Sequence, residues 1–437
     1  MRALILLATL CAANAEVHTL TLRQTAALAL AQGPDALLAR LDRQKAAAQV
    51  DLARDAFHPK FYAGSGLAYV YGFPQSIEGS APAVVQARGV ASVYDRRQSF
   101  LVKEARESER GANETAERKR ERALGEAIGL HLEAERLGRV AAGADALKQG
   151  AKRIARSVEA RLAEGRQIQL DLDKANLEIA RAEQKITEWE GARDHLEAML
   201  AAALGMPEGD RVRPAAEDRT LPIVPESPIE DALRQSREIR ELESALAAAG
   251  LRIEAERSAR YPKMDLVAQY GLFAKFNNYE DYFRRFQRNN AQIGVSLQVP
   301  LWLGPAAKAA VSQAEAAAAS TRIELNRARG RVRLETEQRS RAVRETEIAQ
   351  NLARRELDVA RSEVAVELAR MEEGRVPVDA VERARMAEQE RWIAYLAARE
   401  RSERARYALL EQTGQLAVFL AGPAEQNFPG ARLDKRQ

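Results

Sequence analysis

Proline is absent between Pro82 and Pro207 and again between Pro305 and Pro377. A helix interior tolerates proline poorly, because the ring removes a hydrogen bond and strikes the preceding turn, so each of these zones reads as helix. Residues 306–373, taken as one helix, would reach ~100 Å at 1.5 Å per residue, and a helix that long needs neighbours along its flank. The composition agrees: 46% hydrophobic, 30% charged and 5% aromatic describes long helices or coiled coil better than a compact catalytic domain. The 67 basic and 63 acidic residues are interspersed, the signature of solvated helix faces. No basic–aromatic cluster accompanies them, so no nucleic-acid partner is expected.

The opening "MRALILLATLCAANA" has one Arg, an apolar run and Ala13-Asn14-Ala15. It reads as a signal peptide over 1–15 with a small-x-small cleavage site, which starts the mature chain at Glu16. Leu10, not a small residue, precedes Cys11, which argues against lipidation. Cys11 is the only cysteine and leaves with the signal, so neither disulfides nor thiol chemistry is expected. No later run reaches about eighteen apolar residues, so no helical span is expected either.

The rest of the chain is written twice. "HPKFYAGSGLAYVY" (58–71) and "YPKMDLVAQYGLF" (261–273) each follow a charged, Ala-rich run and then alternate as a strand does. Upstream, Thr21 with Gln24 and Ser227 with Glu230 each offer a capping box, Pro228 standing at the first helical position. Downstream come a polar loop (74–89 and 274–290), a second strand candidate and a very long helix. Those helices end at "LAEGRQIQLDLDKA" (162–175) and "MEEGRVPVDAVERA" (371–384), where each Glu-Gly-Arg predicts a helix cap and a tight reversal. A further helix then runs to about Leu204 and Leu420. The order helix, strand, strand, long helix, turn, helix thus fills 16–205 and again 229–422. Between them, the five-proline segment 206–228 cannot be regular helix and reads as a linker. A tail, 423–437, follows.

The strands are expected at about 61–72, 84–94, 263–273 and 291–301. In the last, Ala291, Ile293, Val295, Leu297, Val299 and Leu301 share one parity, against Gln292, Gly294, Ser296 and Gln298. Met264, Leu266, Ala268, Tyr270 and Leu272 repeat the pattern, as do Phe61, Leu67, Tyr69 and Tyr71 in the first half. Period-two striping gives one apolar and one polar face. Two hairpins are too few to close a barrel, and an open sheet edge cannot sit in lipid. Strands of about ten residues do fit an outer-membrane wall, so several chains contributing four strands each to one barrel would resolve the conflict.

The duplicated plan, the Pro-Lys entry to each first strand, "VPLWLG" (299–304) leading into "AAKAAVSQAEAA", and the Glu-Gly-Arg turns resemble the TolC-like outer-membrane factors. The resemblance covers roughly residues 20 to 425. It implies a mainly α fold with a β-barrel part, in which a trimer builds a twelve-stranded outer-membrane barrel continued by a periplasmic α-helical barrel. It also implies a periplasmic adaptor protein and an inner-membrane transporter as partners, besides outer-membrane lipid. Leu266, Tyr270, Ile293, Val295 and Leu297 would then face lipid. The linker and tail would form a collar around the middle of the tube.

The resemblance places a gate at the periplasmic tip. Asp379 and Glu382, three apart on one helix face, match acids that form rings in the closed pore; the alternative is an ordinary acidic first turn. Counted from each glycine, Asp171 stands six residues on and Asp379 five, so the register between the repeats is open. Arg375 and Asp171 match an arginine–aspartate pair that closes the tip. The turns Gly165-Arg166 and Gly374-Arg375 match the adaptor-docking ends. Trp392, Tyr395 and Leu396 read as helix core. The four histidines are isolated, His18 at a frayed start, so no catalytic residue, cofactor or metal is expected. The rival from another class is a soluble periplasmic coiled-coil scaffold or adaptor protein, which would leave the striped strands unexplained.

Overall fold

The computed structural model describes residues 16–66, 83–217, 219–273 and 289–421. The expected signal peptide, residues 67–72 of the first strand, most of both polar loops and the tail lie outside the described residues. The loop ends expected at 89 and 290 fall inside strands.

The duplication is written into element lengths. Helices α1 (Leu22–Gln32) and α2 (Pro34–Arg54) lead through a 3-10 turn, Asp55–Phe57, to β2 (Lys60–Gly66) and β3 (Ala83–Asp95). Then come α3 (Arg96–Ala163, 68 residues) and α4 (Gln169–Ala203, 35 residues). In the second half, α5 (Pro228–Gln235) and α6 (Arg237–Arg257) lead through Ser258–Arg260 to β5 (Lys263–Phe273) and β6 (Asn289–Gln298). They are followed by α7 (Gly304–Glu372, 69 residues), α8 (Val378–Gln412, 35 residues) and α9 (Leu416–Ala421).

The repeated Pro-Lys phrase explains each helix-to-strand change. A residue before proline is pushed out of the helical region, and His58 and Tyr261 both adopt extended angles after donating to the start of a 3-10 turn. Thr21 and Gln24 form the expected reciprocal capping box. Ser227 does not. Its side chain makes no capping bond, its ψ of 64° turns the chain differently, and Pro228 alone starts α5.

Two short strands complete the element list. β1 (Val17–Leu20) pairs in parallel with β4 (Arg211–Pro214). His18 is therefore held, not frayed, and its Nε2 lies 3.2 Å from Asp210 Oδ2. The five-proline segment contains a strand because its prolines crowd toward the end and leave Arg211–Arg213 free to pair.

The chain divides into two compact units, and each draws on both repeats. One takes the described residues of 1–40, 116–236 and 329–437; the other takes 41–115 and 237–328. In the first, Leu22 and Ala26 of α1 pack on Leu124, Ile128 and Leu132 of α3, Tyr407 and Leu410 of α8, and Leu416 and Leu420 of α9. Burying each leucine contributes roughly 2 kcal/mol. Beside this core, Ala29, Ala127, Leu200, Ala201, Leu204 and Val212 form a second cluster that seats the β1–β4 pair. The second unit holds the sheet, order β2-β3-β5-β6, in which β3 and β5 join the two hairpins.

Candidate functional site

The four-stranded sheet has two unlike faces. Cross-strand partners lie on the same side, so the register assigns every residue. Leu266 pairs with Val295 and Ala91; Ala268 with Ile293 and Gly89; Tyr270 with Ala291 and Ala87. These positions, with Phe61 opposite Gly89, make one side apolar. It is also bare: Phe61 is 79% exposed, Ile293 80%, Val295 61%, Leu297 60%, and Leu266 and Tyr270 42% each. A contiguous apolar face of this kind marks a surface that water is not meant to cover. Gly89 gives the Phe61 ring room to lie across β3, since a Cβ there would come 2.9 Å from the ring as it stands.

The opposite side carries one polar row across all four strands, Tyr62, Arg88, Gln269 and Gln292. Gln292 Nε2 donates to Gln269 Oε1. A concavity of about 680 Å³ opens on this side, lined by Lys60, Tyr62, Gln86, Arg88, Ser92 and Asp265 among others. The last strand stops at Gln298 rather than at 301, because Pro300 cannot donate to a ladder. Leu301 and Trp302 are left 95% and 86% exposed. The edges β2 and β6 have no partner among the described residues.

The first unit ends in two helix hairpins with one geometry. Gly165 and Gly374 have φ of 69° and 72°. Gly165 N donates to Leu162 O and Arg166 N to Arg161 O; Gly374 N donates to Met371 O and Arg375 N to Arg370 O. This pair of bonds caps a helix and needs a left-handed residue, which glycine supplies without a steric penalty. Within each turn the arginine folds back on the preceding acid, Arg166 on Glu164 at 3.2 Å and Arg375 on Glu373 at 3.0 Å.

The next helix starts four residues after each glycine, with Ile168 and Pro377 as N-caps. The register is therefore equal in the two hairpins, and the acids are not equivalent. Asp171 is the third residue of α4, whereas Asp379 is the second of α8. The counterpart of Asp379 is Leu170, which is 53% exposed.

Asp379 and Glu382 are 3% exposed each and carry two arginines apiece. Asp379 accepts from Arg161 of α3 and lies 2.7 Å from Arg383. Glu382 accepts from Arg153 of α3 at 2.9 Å and from Arg385 at 3.1 Å. These ion pairs clamp the start of α8 onto the end of α3. α8 then runs along a glycine face of α3, where Gln389 and Trp392 close over Gly143 and Met386 over Gly150. Leu396 is buried and Trp392 and Tyr395 half-buried, a helix-packing role. On its other side α3 meets α4 through Ala155, Val158 and Ala175. Asp171 is half-buried with no ion pair among the described residues, and it is not joined to Arg375 within the protomer.

Arg153 and Arg161 are functional candidates that no sequence motif announces. They lie more than two hundred residues from their partners, in a helix with many arginines. A third such residue is Arg219 in the linker, which bonds Glu135 of α3 and Glu403 of α8. Arg139 and Arg399 hold the outer oxygens of those same carboxylates. Next to it, His131 is fully buried, with Nδ1 2.9 Å from Thr25 Oγ1. Burial, then the nearby Arg219 charge, lowers its pKa to about 3.

No cluster of His, Cys, Asp and Glu suited to a metal occurs among the described residues. No described helix is long and apolar enough to cross a membrane.

No family model and no curated protein matches the sequence. Among solved structures, the chain is similar to a membrane protein from Pseudomonas aeruginosa (18% identity, 90% of this chain and 93% of that one, TM-score 0.74). It is also similar to the outer membrane protein VceC of Vibrio cholerae (16%, 90% and 96%, TM-score 0.71). The Campylobacter jejuni outer membrane channel CmeC gives 14%, 90% and 86%, with a TM-score of 0.75. The chain has the TolC-like fold, and the likeness extends over both repeats.

Proposed function

We propose that the protein is the outer-membrane component of a tripartite efflux or type I secretion system, a passive trimeric duct for export. The observation that carries this reading is the sheet: apolar and bare on one face, polar on the other, with both edges unpaired among the described residues. One copy cannot place such a sheet in lipid, because unpaired edge groups cost several kcal/mol each there. Three copies give twelve strands, and edge β6 of one can pair with edge β2 of the next until no edge is left. The apolar face then meets lipid and the polar face lines water. Similar solved structures named as outer-membrane channels, those of Campylobacter jejuni and OprN, support the same assignment.

The helices support it independently. On α7, Leu352, Val359 and Val366 stand seven residues apart and are 57%, 59% and 49% exposed; on α4, Leu170 and Leu177 repeat the spacing at 53% and 49%. Heptad stripes of exposed leucine and valine fit a seam with another helix, which neighbouring protomers would supply.

At the tip, the Asp379–Arg161 and Glu382–Arg153 clamp would hold the second hairpin to the first and keep the passage narrow. Asp171 would bond Arg375 of a neighbouring protomer, with Arg375 exchanging its Glu373 partner for it. The exposed turns Gly165-Arg166 and Gly374-Arg375 would receive a periplasmic adaptor, which links the duct to an inner-membrane transporter. The test is membrane fractionation combined with the native mass of the detergent-extracted protein. A trimer in the outer-membrane fraction is expected; a monomer that remains in plain buffer would overturn the reading.

A further inference from the structure

The polar face of the sheet is unevenly charged. Lys60 lies 2.7 Å from Asp55, and Lys263 lies 3.3 Å from Asp265. Asp95 Oδ1 accepts the backbone N–H of Gln98. These charged groups near the helix junction are therefore compensated. Arg88 is different: it is exposed, sits in the middle of β3, and has no ion pair among the described residues. Its neighbours in the row, Tyr62, Gln269 and Gln292, are neutral hydrogen-bonding side chains, and no carboxylate shares the row.

Threefold symmetry would set three Arg88 side chains at one height of the barrel. Guanidinium groups stay charged at every accessible pH and offer five donors to carboxylate, sulfonate or phosphate oxygens. A ring of like charges on a pore wall is a selectivity device. We propose that Arg88 makes the middle of the barrel an anion-attracting belt, which favours passage of exported solutes bearing carboxylate, sulfonate or phosphate over organic cations at that level. This rests on the trimeric-barrel reading above.

A reporter placed beside Arg88 tests it locally. Gln269 is its cross-strand partner, and Gln269→Cys supplies a thiol; the parent chain, whose only cysteine is Cys11, is the labelling control. Trimers in nanodiscs are treated with two methanethiosulfonates of similar size, one sulfonated and one trimethylammonium. The ratio of their rates cancels any effect on thiolate formation. A unit charge on the adjacent strand, Cβ atoms about 5 Å apart, should raise the anion-to-cation ratio roughly two- to sixfold under ordinary screening. Adding Arg88→Gln should remove that preference and Arg88→Glu should invert it. An unchanged ratio in R88Q, with the introduced thiol labelled by both reagents, would overturn the anion belt and leave the duct intact. If neither reagent labels that thiol until the protein is denatured, the polar face does not line water, and the duct falls with the belt.

Discussion

Replacement of Arg161 by Gln isolates the tip clamp. The clamp joins α3 to α8, so any movement that carries the second hairpin away from the first must break it. Asp379 is 3% exposed, and loss of one partner of a buried ion pair costs about 3–5 kcal/mol. Two features reduce that figure here. Arg383 still holds Asp379 Oδ2 at 2.7 Å, and the Arg161 side chain is 24% exposed. About 2 kcal/mol remains, the worth of one charge-assisted hydrogen bond, and that corresponds to roughly a thirtyfold shift toward the open tip. Single-channel recording in planar bilayers measures it directly as open probability, with trimer assembly checked on gels. Asp379→Asn and the double variant complete a cycle in which the two single effects should overlap rather than add. An open probability in R161Q within twofold of the parent, with no coupling between the two sites, would show that the bridge does not restrain the tip.

Charged residues at Leu266 or Val295 should impair membrane assembly, at about 2–4 kcal/mol for Arg or Lys at mid-bilayer, while the same changes at Gln269 or Gln298 should be tolerated; heat-resistant trimer yield distinguishes the two faces. His131 titrates near 3 in the fold because burial disfavours its cation, against about 6.5 when unfolded. Its contribution is therefore intact above pH 6.5 and is lost as pH falls toward 3, about 3 kcal/mol by pH 4; melting curves of His131→Gln should lack that slope if the trimer forms. Gly205→Ala should cost about 2 kcal/mol or more, since φ is 70° and a Cβ would meet the Gln32 carbonyl oxygen at 2.6 Å. Thermal melting of Gly191→Ala, where a Cβ meets nothing, is the comparison.

Proline and glycine made most of the fold legible. Pro59 and Pro262 mark where helices become strands, and Gly165 and Gly374 mark the reversals; the helix limits follow from them. Striping located β5 and β6, yet β3 was harder to read. Its register shifts between Ala83 and Val85 and between Ser92 and Tyr94, and each shift moves the apolar parity to the other face. The β1–β4 pair escaped because four residues of parallel strand carry too little pattern. The ion pairs at Arg219, Arg153 and Arg161 escaped for another reason. Among 67 basic residues, charge alone does not say which guanidinium a fold will bury.

That β3 pairs with β5, about 170 residues later in the chain, has a consequence for biogenesis. During synthesis the first hairpin appears with a greasy flank and both margins unpaired, because its mate β5 has yet to be made. Local rules cannot end that wait, because distant strand pairings are the slow step of folding. The early half therefore stays incomplete until the later half has been made.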